Sequence, residues 1–249
     1  MKTQRKLGWL PDIYSGHDQM FSVPTMEVIP DIVDLRWKGI VPPVRDQGSA
    51  GSCTGFGTTA VAWAAMMADK TFNTPAFHPS ELFAYYNGRR NKDADTGASI
   101  RDVVDATARY GLAPAETWMY DAKKVTIKPP DRAYHQALKF KTIKRARVPQ
   151  TEEAICSVLA SGFPIVFGHL CYTNFFKVGS NGIIPLPSGK IEGGHCEWLL
   201  AHDRPKHKYT VQNSWSEKRG DRGYEYFDFD HILDLNTCMD FWVIYEVSI

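Results

Sequence analysis

The stretch from Cys53 to Lys70 restricts the possible folds of this chain more than any other. It is rich in Ala, Met, Val and Trp and contains no proline, a pattern that indicates a buried helix. Ser52 is suited to cap the start of that helix. Gly48 and Gly51 permit the tight turn that leads into it. The sequence therefore predicts a central helix with Cys53 in its first turn.

A cysteine at that position is a candidate nucleophile. A free thiol has a pKa of about 8.5 and is little ionised at neutral pH. The positive end of a helix dipole and an imidazolium neighbour both lower that pKa. His195, which follows two glycines, is the candidate base, and Asn213, which opens an Asn-Ser-Trp sequence, carries a carboxamide that can accept from the other ring nitrogen. The three residues together predict thiol-based hydrolytic chemistry.

The order and spacing of these residues resemble those of the papain-like cysteine peptidases. His195 follows Cys53 by 142 residues and Asn213 follows it by 160, and the family places its His and Asn roughly 130 to 150 residues after the cysteine. The resemblance runs from about Asp34 to the C-terminus. It is strongest with the compact bacterial and viral branch, in which a Gly-Ser-Cys-Thr sequence is familiar.

The resemblance implies a role for each residue of the set. Cys53 attacks the substrate carbonyl, and His195 removes and returns the proton. Asn213 orients His195, and Trp215 shields their hydrogen bond from water. Acyl transfer builds an oxyanion that requires fixed donors, and the resemblance assigns this role to the Gln47 side chain and the Cys53 backbone N–H.

Substrate contacts are also implied by the resemblance. The loop 95–98 corresponds to the backbone that pairs with substrate in an antiparallel manner, although an ordinary turn before a helix has the same pattern. Residues 238–241 correspond to the floor of the pocket for the second residue before the cleaved bond, or they form a simple core strand. The implied substrate-binding residues are Gly97, Ala98, Gly194, Trp215 and Met239.

Four positions depart from the family pattern. Ala50 stands where secreted relatives carry a disulfide-forming cysteine, and Thr54 replaces the usual tryptophan. Gly194 and Cys196 flank His195 in place of the Asp or Asn and the Ala that are usual there. These departures bear on peptide specificity more than on the nucleophile.

Periodicity predicts a mainly helical first half and a mainly β second half, and the resemblance implies the papain-like α+β fold, in which a helical left half and an antiparallel β-barrel-like right half enclose the active-site cleft. The first half, about 34–125, contains helices over 81–89 and 99–110. The second half, about 126–249, contains helices over 131–140 and 151–162. Its predicted strands cover residues 164–170, 196–202, 208–213, 223–229 and 241–247, with a basic stretch, 139–147, as a solvated strand or a site for an anionic partner.

Residues 1–33 form an irregular extension with three prolines. It is too short for the long helical propeptide of secreted relatives. It either wraps the body of the protein or covers the cleft. We expect it to pack on the body through Trp9, Leu10 and Phe21, because a cover requires a release mechanism that the sequence does not reveal.

Composition restricts partners and compartment. A net charge of +1 predicts no long-range attraction to nucleic acid or to an anionic membrane. There is no run of 18 apolar residues, and the basic N-terminus lacks the apolar region of a secretory signal. The five cysteines are widely spaced without a CxxC pair, which favours reduced thiols. We expect a monomer without cofactor or metal, in the cytoplasm or delivered by a signal-peptide-independent route.

These features predict a cysteine peptidase that acts on peptides or proteins through an acyl-enzyme at Cys53. The absence of a dedicated occluding loop favours an endopeptidase. One alternative is a thiol acyltransferase that uses the same dyad with an amine acceptor. The other is an inactive binding module that has kept the fold.

Overall fold

The computed structural model describes residues 5–13, 15–22, 28–69 and 77–248. Its α-helices within these residues are α1 Cys53–Ala68, α2 Glu81–Gly88, α3 Ile100–Tyr110, α4 Asp131–Ala137, α5 Glu152–Ala160 and α6 Phe229–Leu233. Its β-strands are β1 Ile32–Asp34, β2 Lys141–Arg147, β3 Ile165–Tyr172, β4 Ile191–Asp203, β5 Lys208–Gln212, β6 Tyr224–Asp228 and β7 Cys238–Ser248. In the described part of the chain, no helix is long and apolar enough to cross a membrane.

The helices of the first half begin at the predicted caps. The Ser80 hydroxyl accepts from the N–H of the third helical residue, Phe83, at 3.1 Å, and Ser99 caps α3 in the same way. Helix α1 is buried on nearly every side, as its composition predicts. It ends at Ala68, and Lys70, the predicted end, lies outside the described residues.

The second half is built on one antiparallel sheet. Its strand order is β2-β7-β3-β4-β5-β6, and β1 pairs with β4. A large apolar core covers one side of the sheet, in which Phe167, Phe227 and Phe241 are fully or almost fully buried. The sheet agrees with the predicted α+β fold class, since every strand pairing in it is antiparallel.

Helix α1 packs directly against the sheet. Val61 and Met66 share a buried apolar cluster with Trp198 of β4 and Trp242 of β7. At Gly57 the approach is so close that an added methyl group would lie 2.9 Å from the Cys196 sulfur. This packing brings the start of α1 to the middle of β4.

Some elements differ from the prediction. Helix α4 ends at Ala137 instead of residue 140. Helix α6 was not predicted, because five residues capped by the Asp228 carboxylate are too few to show a helical period. Strand β4 begins at Ile191, so His195 lies within a strand. Two glycines before His195 concealed that strand, since its pairing with β3 is a tertiary effect.

Candidate active site

Cys53 is the first residue of α1 and is fully buried. Ser52 occupies the cap position, but its hydroxyl makes no capping contact; it lies 2.7 Å from the Tyr120 hydroxyl. Helix α1 thus begins at Cys53 as predicted, but the Ser52 side chain does not form the expected capping hydrogen bond. Burial raises the pKa of Cys53, and backbone N–H groups of Cys196 and Thr54 near its sulfur oppose that rise in part. These donors would stabilise a thiolate at this position.

His195 is fully buried in β4 and held on two sides. Its Nε2 lies 3.0 Å from the Asn213 Oδ1, and its ring lies over Trp215 with 4.5 Å between ring centroids. Its Nδ1 has no hydrogen-bond partner among the residues that the structure describes. Nε2 therefore donates to Asn213, and Nδ1 is the nitrogen available to accept a proton from a thiol.

Gln47 is oriented by residues that follow Asn213. Its Oε1 accepts from the Ser214 hydroxyl at 2.7 Å and from the Trp215 indole N–H at 3.2 Å. Because both donors fix the oxygen, the amide nitrogen must point the other way. It donates to the carbonyl oxygens of Ala50 at 2.8 Å and Lys6 at 3.1 Å. This is the arrangement that a side-chain oxyanion donor requires.

Comparison with known proteins agrees with this geometry. The sequence model of the papain family of cysteine proteases matches residues 29–239. The chain belongs to this family. The protein is therefore a cysteine-type peptidase.

Individual relatives support the assignment. The peptidase is 36% identical over 241 residues to an uncharacterized peptidase C1-like protein of Acanthamoeba polyphaga mimivirus, covering 89% of this chain and 76% of that protein. It is 28% identical over 219 residues to mouse procathepsin L, spanning 83% of this chain but only 62% of procathepsin L. The crystal structure of xylellain, a cysteine protease from Xylella fastidiosa, superposes with a TM-score of 0.87 at 31% identity and covers 100% of this chain and 99% of that one.

The peptidase carries part of its own chain in the cleft, namely residues 5–12, here called the cleft segment. The Ala98 N–H donates to the Gly8 carbonyl at 2.9 Å, and the Leu10 N–H donates to the Ala98 carbonyl at 3.0 Å. On the opposite wall the Trp9 N–H donates to the Gly194 carbonyl at 3.0 Å. The segment thus hydrogen-bonds to two of the predicted substrate-binding residues, Ala98 and Gly194, and packs through Gly8 against a third, Gly97.

Trp9 fills a pocket between the two walls. Its side chain is 2% exposed, and a methyl group added at Gly168 would overlap the indole ring. Met239, the predicted pocket residue, lies opposite Gly168 in the β3–β7 pairing and packs on the same apolar cluster as Trp9. The expectation that Trp9 packs on the body is therefore wrong, because the cleft offers an indole-sized space bounded by glycine.

Phe21 does pack on the body, edge-to-face with Tyr245 at 5.2 Å between ring centroids. The Leu10 side chain neither enters the cleft nor packs on the body, since it is 48% exposed. Between them, Asp12 is fully buried in an ionic contact with Arg147 at 2.8 Å. The extension therefore covers the cleft first and then binds to the body.

The cleft segment runs in the opposite direction to the substrate that the resemblance implies, which does not suit attack by Cys53. Trp9 forms a parallel bridge with Ala98, whereas the resemblance implies an antiparallel substrate. The Gly8 backbone N–H hydrogen-bonds to the Cys53 sulfur. The thiol thus faces an amide donor, and this geometry explains how a peptide can occupy the cleft without being cut.

Burial under the cleft segment makes both members of the dyad neutral. It raises the pKa of Cys53 to about 12. It lowers the pKa of His195 well below the usual value, and nearby His169 lowers it further. The expected thiolate–imidazolium pair therefore does not form in the covered site, because the effect of desolvation on the Cys53 pKa outweighs that of the backbone N–H donors.

A buried polar network that was not predicted from the sequence lies behind Asn213. The Asn213 Nδ2 donates to the Glu225 Oε2 at 3.1 Å, and Arg219 Nε also donates to Glu225. Glu197 lies beside them, with its Oε2 2.9 Å from the His169 Nε2. A signal was present, because Glu225 alternates with Tyr224 and Tyr226 in β6 at an inward position.

All five cysteines are free and buried. This agrees with the expectation of reduced thiols. For Cys171, Cys196 and Cys238, burial raises the thiol pKa, so they behave as small apolar side chains. Cys53 differs from them by its position at a helix start beside His195.

Proposed function

We propose that this protein is an endopeptidase that its own cleft segment keeps latent. The observation that carries the proposal is the path of the segment, which passes Cys53 and continues on both sides of it. A cleft that accepts continuous chain on both sides of the nucleophile suits an enzyme that cuts within a polypeptide. An exopeptidase requires one end of its cleft to be closed.

Contacts at the two ends of the segment define this path. At one end Arg5 donates to the Trp215 carbonyl at 3.2 Å and forms an ion pair with Asp46. At the other end the Asp12 N–H donates to the Asp240 carboxylate at 2.7 Å. By the resemblance, Trp215 lies on the leaving-group side and residues 238–241 on the opposite side. The segment therefore occupies the positions of residues before and after a cleaved bond.

The reaction follows from the geometry once the segment leaves. The Cys53 proton moves to the His195 Nδ1, and the sulfur attacks the peptide carbonyl carbon. The Gln47 Nε2 and the Cys53 N–H bind the resulting oxyanion. His195 returns the proton to the leaving amine as the C–N bond breaks. Water, deprotonated by His195, then cleaves the thioester and restores the thiol.

Internally quenched peptides blocked at both ends test the endopeptidase assignment. The enzyme would be the full chain with Trp9→Ala, which removes the pocket contact of the segment, and Cys53→Ala in the same chain is the control. Cleavage within the blocked peptides is expected, with none in the control. Cleavage only of peptides that have a free terminus would contradict the proposal. Transfer of the acyl group to an added amine in preference to water would identify the acyltransferase instead.

A further inference from the structure

The side-chain amide of Asn213 joins two groups behind the nucleophile. Its Oδ1 lies 3.0 Å from the His195 Nε2, and its Nδ2 lies 3.1 Å from the Glu225 Oε2. A carboxamide can turn by 180° and exchange its donor and acceptor ends. Turned in that way, it would present a donor to His195 and favour the tautomer with a proton on Nδ1. Some neighbour must therefore fix the orientation of the amide.

Glu225 has the properties of that neighbour. It is fully buried, and it accepts from Arg219 as well as from Asn213. Arginine is always charged and only donates. A buried carboxylate with one charged and one neutral donor keeps its negative charge, and it can only accept. It can therefore bind the donor end of the amide and no other.

Glu197 takes the proton of the buried carboxyl pair. Burial raises the pKa of both Glu197 and Glu225, and Glu197 raises that of Glu225 further. The Glu197 Oε2 lies 2.9 Å from the His169 Nε2, and burial lowers the pKa of His169, so a protonated Glu197 can donate to this neutral imidazole. Since Arg219 contacts Glu225, the single charge lies on Glu225.

Other ionisable groups near the pair come from helix α1, three strands and one loop. They are Cys53 of α1, His169 and Cys171 of β3, His195 and Cys196 of β4, Cys238 of β7, and Arg219 of the loop before β6. Burial lowers the pKa of His169 to about 4, and the thiols are neutral. In the covered structure Arg219 is thus the cation that balances the charge of Glu225.

We propose that Glu225 is a positioning residue of the peptidase reaction. Arg219 donates to Glu225, Glu225 accepts from the Asn213 Nδ2, and the Asn213 Oδ1 is left to accept from the His195 Nε2. The His195 Nδ1 then carries the lone pair that takes the Cys53 proton. The Arg219 guanidinium also lies 5.1 Å from the Trp215 ring centroid, so the same pair supports the indole that covers His195. This inference rests on the proposed peptidase function.

Two changes in the Trp9→Ala chain separate positioning from structural support. Glu225→Gln keeps the shape but offers one acceptor for two donors, so the Asn213 amide loses its fixed orientation. Arg219→Met with Glu225→Leu removes both charges together, a replacement that commonly leaves stability unchanged or higher. Glu81→Gln is the matched control, because Glu81 is also buried and paired with an arginine, Arg45 at 3.2 Å, without contacting Asn213 or His195.

The measurements are kcat and KM on a blocked peptide and the pH midpoint of Cys53 alkylation by iodoacetamide. Both Glu225 variants should lose about tenfold or more in kcat at similar KM. Their alkylation midpoint should rise by at least about one pH unit, towards the value of about 8.5 of a free thiol. Glu81→Gln should change neither quantity.

A double variant that is stable and keeps the kcat and midpoint of its parent would overturn the inference. If the double variant does not fold, Glu225→Gln alone decides in the same way. A parent chain that cleaves no peptide would refute the peptidase proposal instead, and the alkylation midpoint would still report whether Glu225 orients the dyad.

Discussion

Trp9 should control access to the nucleophile. In the covered site, iodoacetamide reaches Cys53 only when the cleft segment leaves, so the alkylation rate is proportional to the uncovered fraction. Trp9 is the one side chain of the cleft segment that enters the pocket at Gly168 and Gly194. Trp9→Ala in the full chain should therefore increase the rate of Cys53 alkylation.

The size of this effect follows from burial. Truncating a buried Trp to Ala costs about 3–5 kcal/mol, and each 1.4 kcal/mol is a factor of about ten in an equilibrium. We expect the lower part of this range, since the backbone hydrogen bonds of Gly8 and Leu10 to Ala98 remain. The uncovered fraction, and the alkylation rate with it, should rise roughly 100- to 1000-fold until the uncovered state predominates.

Leu10→Ala is the matched control, because Leu10 lies in the same segment with an exposed side chain. It should change the alkylation rate of Cys53 by less than about threefold, as a surface substitution does. Mass spectrometry of the alkylated peptides identifies which cysteine reacts. Equal rates for Trp9→Ala and the unaltered chain, or equal effects of Trp9→Ala and Leu10→Ala, would refute the reasoning.

Three further predictions concern the site itself. Gln47→Ala in the Trp9→Ala chain should lower kcat about 100- to 1000-fold while Cys53 alkylation persists; a loss below about threefold would show that Gln47 does not bind the oxyanion. Asn213→Ala should lower kcat less than Cys53→Ala does, since the dyad itself remains, and equal losses in stopped assays at saturating peptide would contradict this. Because burial raises the pKa of Cys53 in the covered site, ionisation of the uncovered thiol favours the uncovered form, so protection of the Trp9 amide from hydrogen exchange, corrected for the intrinsic rate, should decline as the pH rises through the alkylation midpoint of Cys53. Cys53→Ala should abolish the alkaline decline, and a decline unchanged in that variant would assign it to another group.

Local patterns predicted those parts of the fold that local physics determines. The caps at Ser80 and Ser99 define helix starts with short-range hydrogen bonds, and the apolar composition of α1 requires burial on all sides. The roles of Cys53 and His195 came from spacing and order, and the structure brings both to the same cleft. The covered site, by contrast, depends on contacts between residues far apart in sequence.

Two aspects of the site could not be predicted from the sequence. The pocket for Trp9 exists because Gly168 and Gly194, at diagonal positions of the paired strands β3 and β4, both lack side chains against the indole, a placement that only the strand register reveals. The charge of Glu225 in the interior depends on Arg219, six residues before it, turning inward to meet it. Neither feature has a periodic signal, since each results from tertiary packing.

Identification of the acyl-enzyme would show directly whether Cys53 is the nucleophile of this peptidase. The Trp9→Ala chain would be incubated with a doubly blocked peptide, stopped with acid within a single turnover, and digested for mass spectrometry. We expect an acyl group on Cys53, on none of the other four cysteines, and on no residue in the Trp9→Ala, His195→Ala chain. Peptide cleavage that persists in Cys53→Ala, or acyl groups spread over several cysteines, would contradict it.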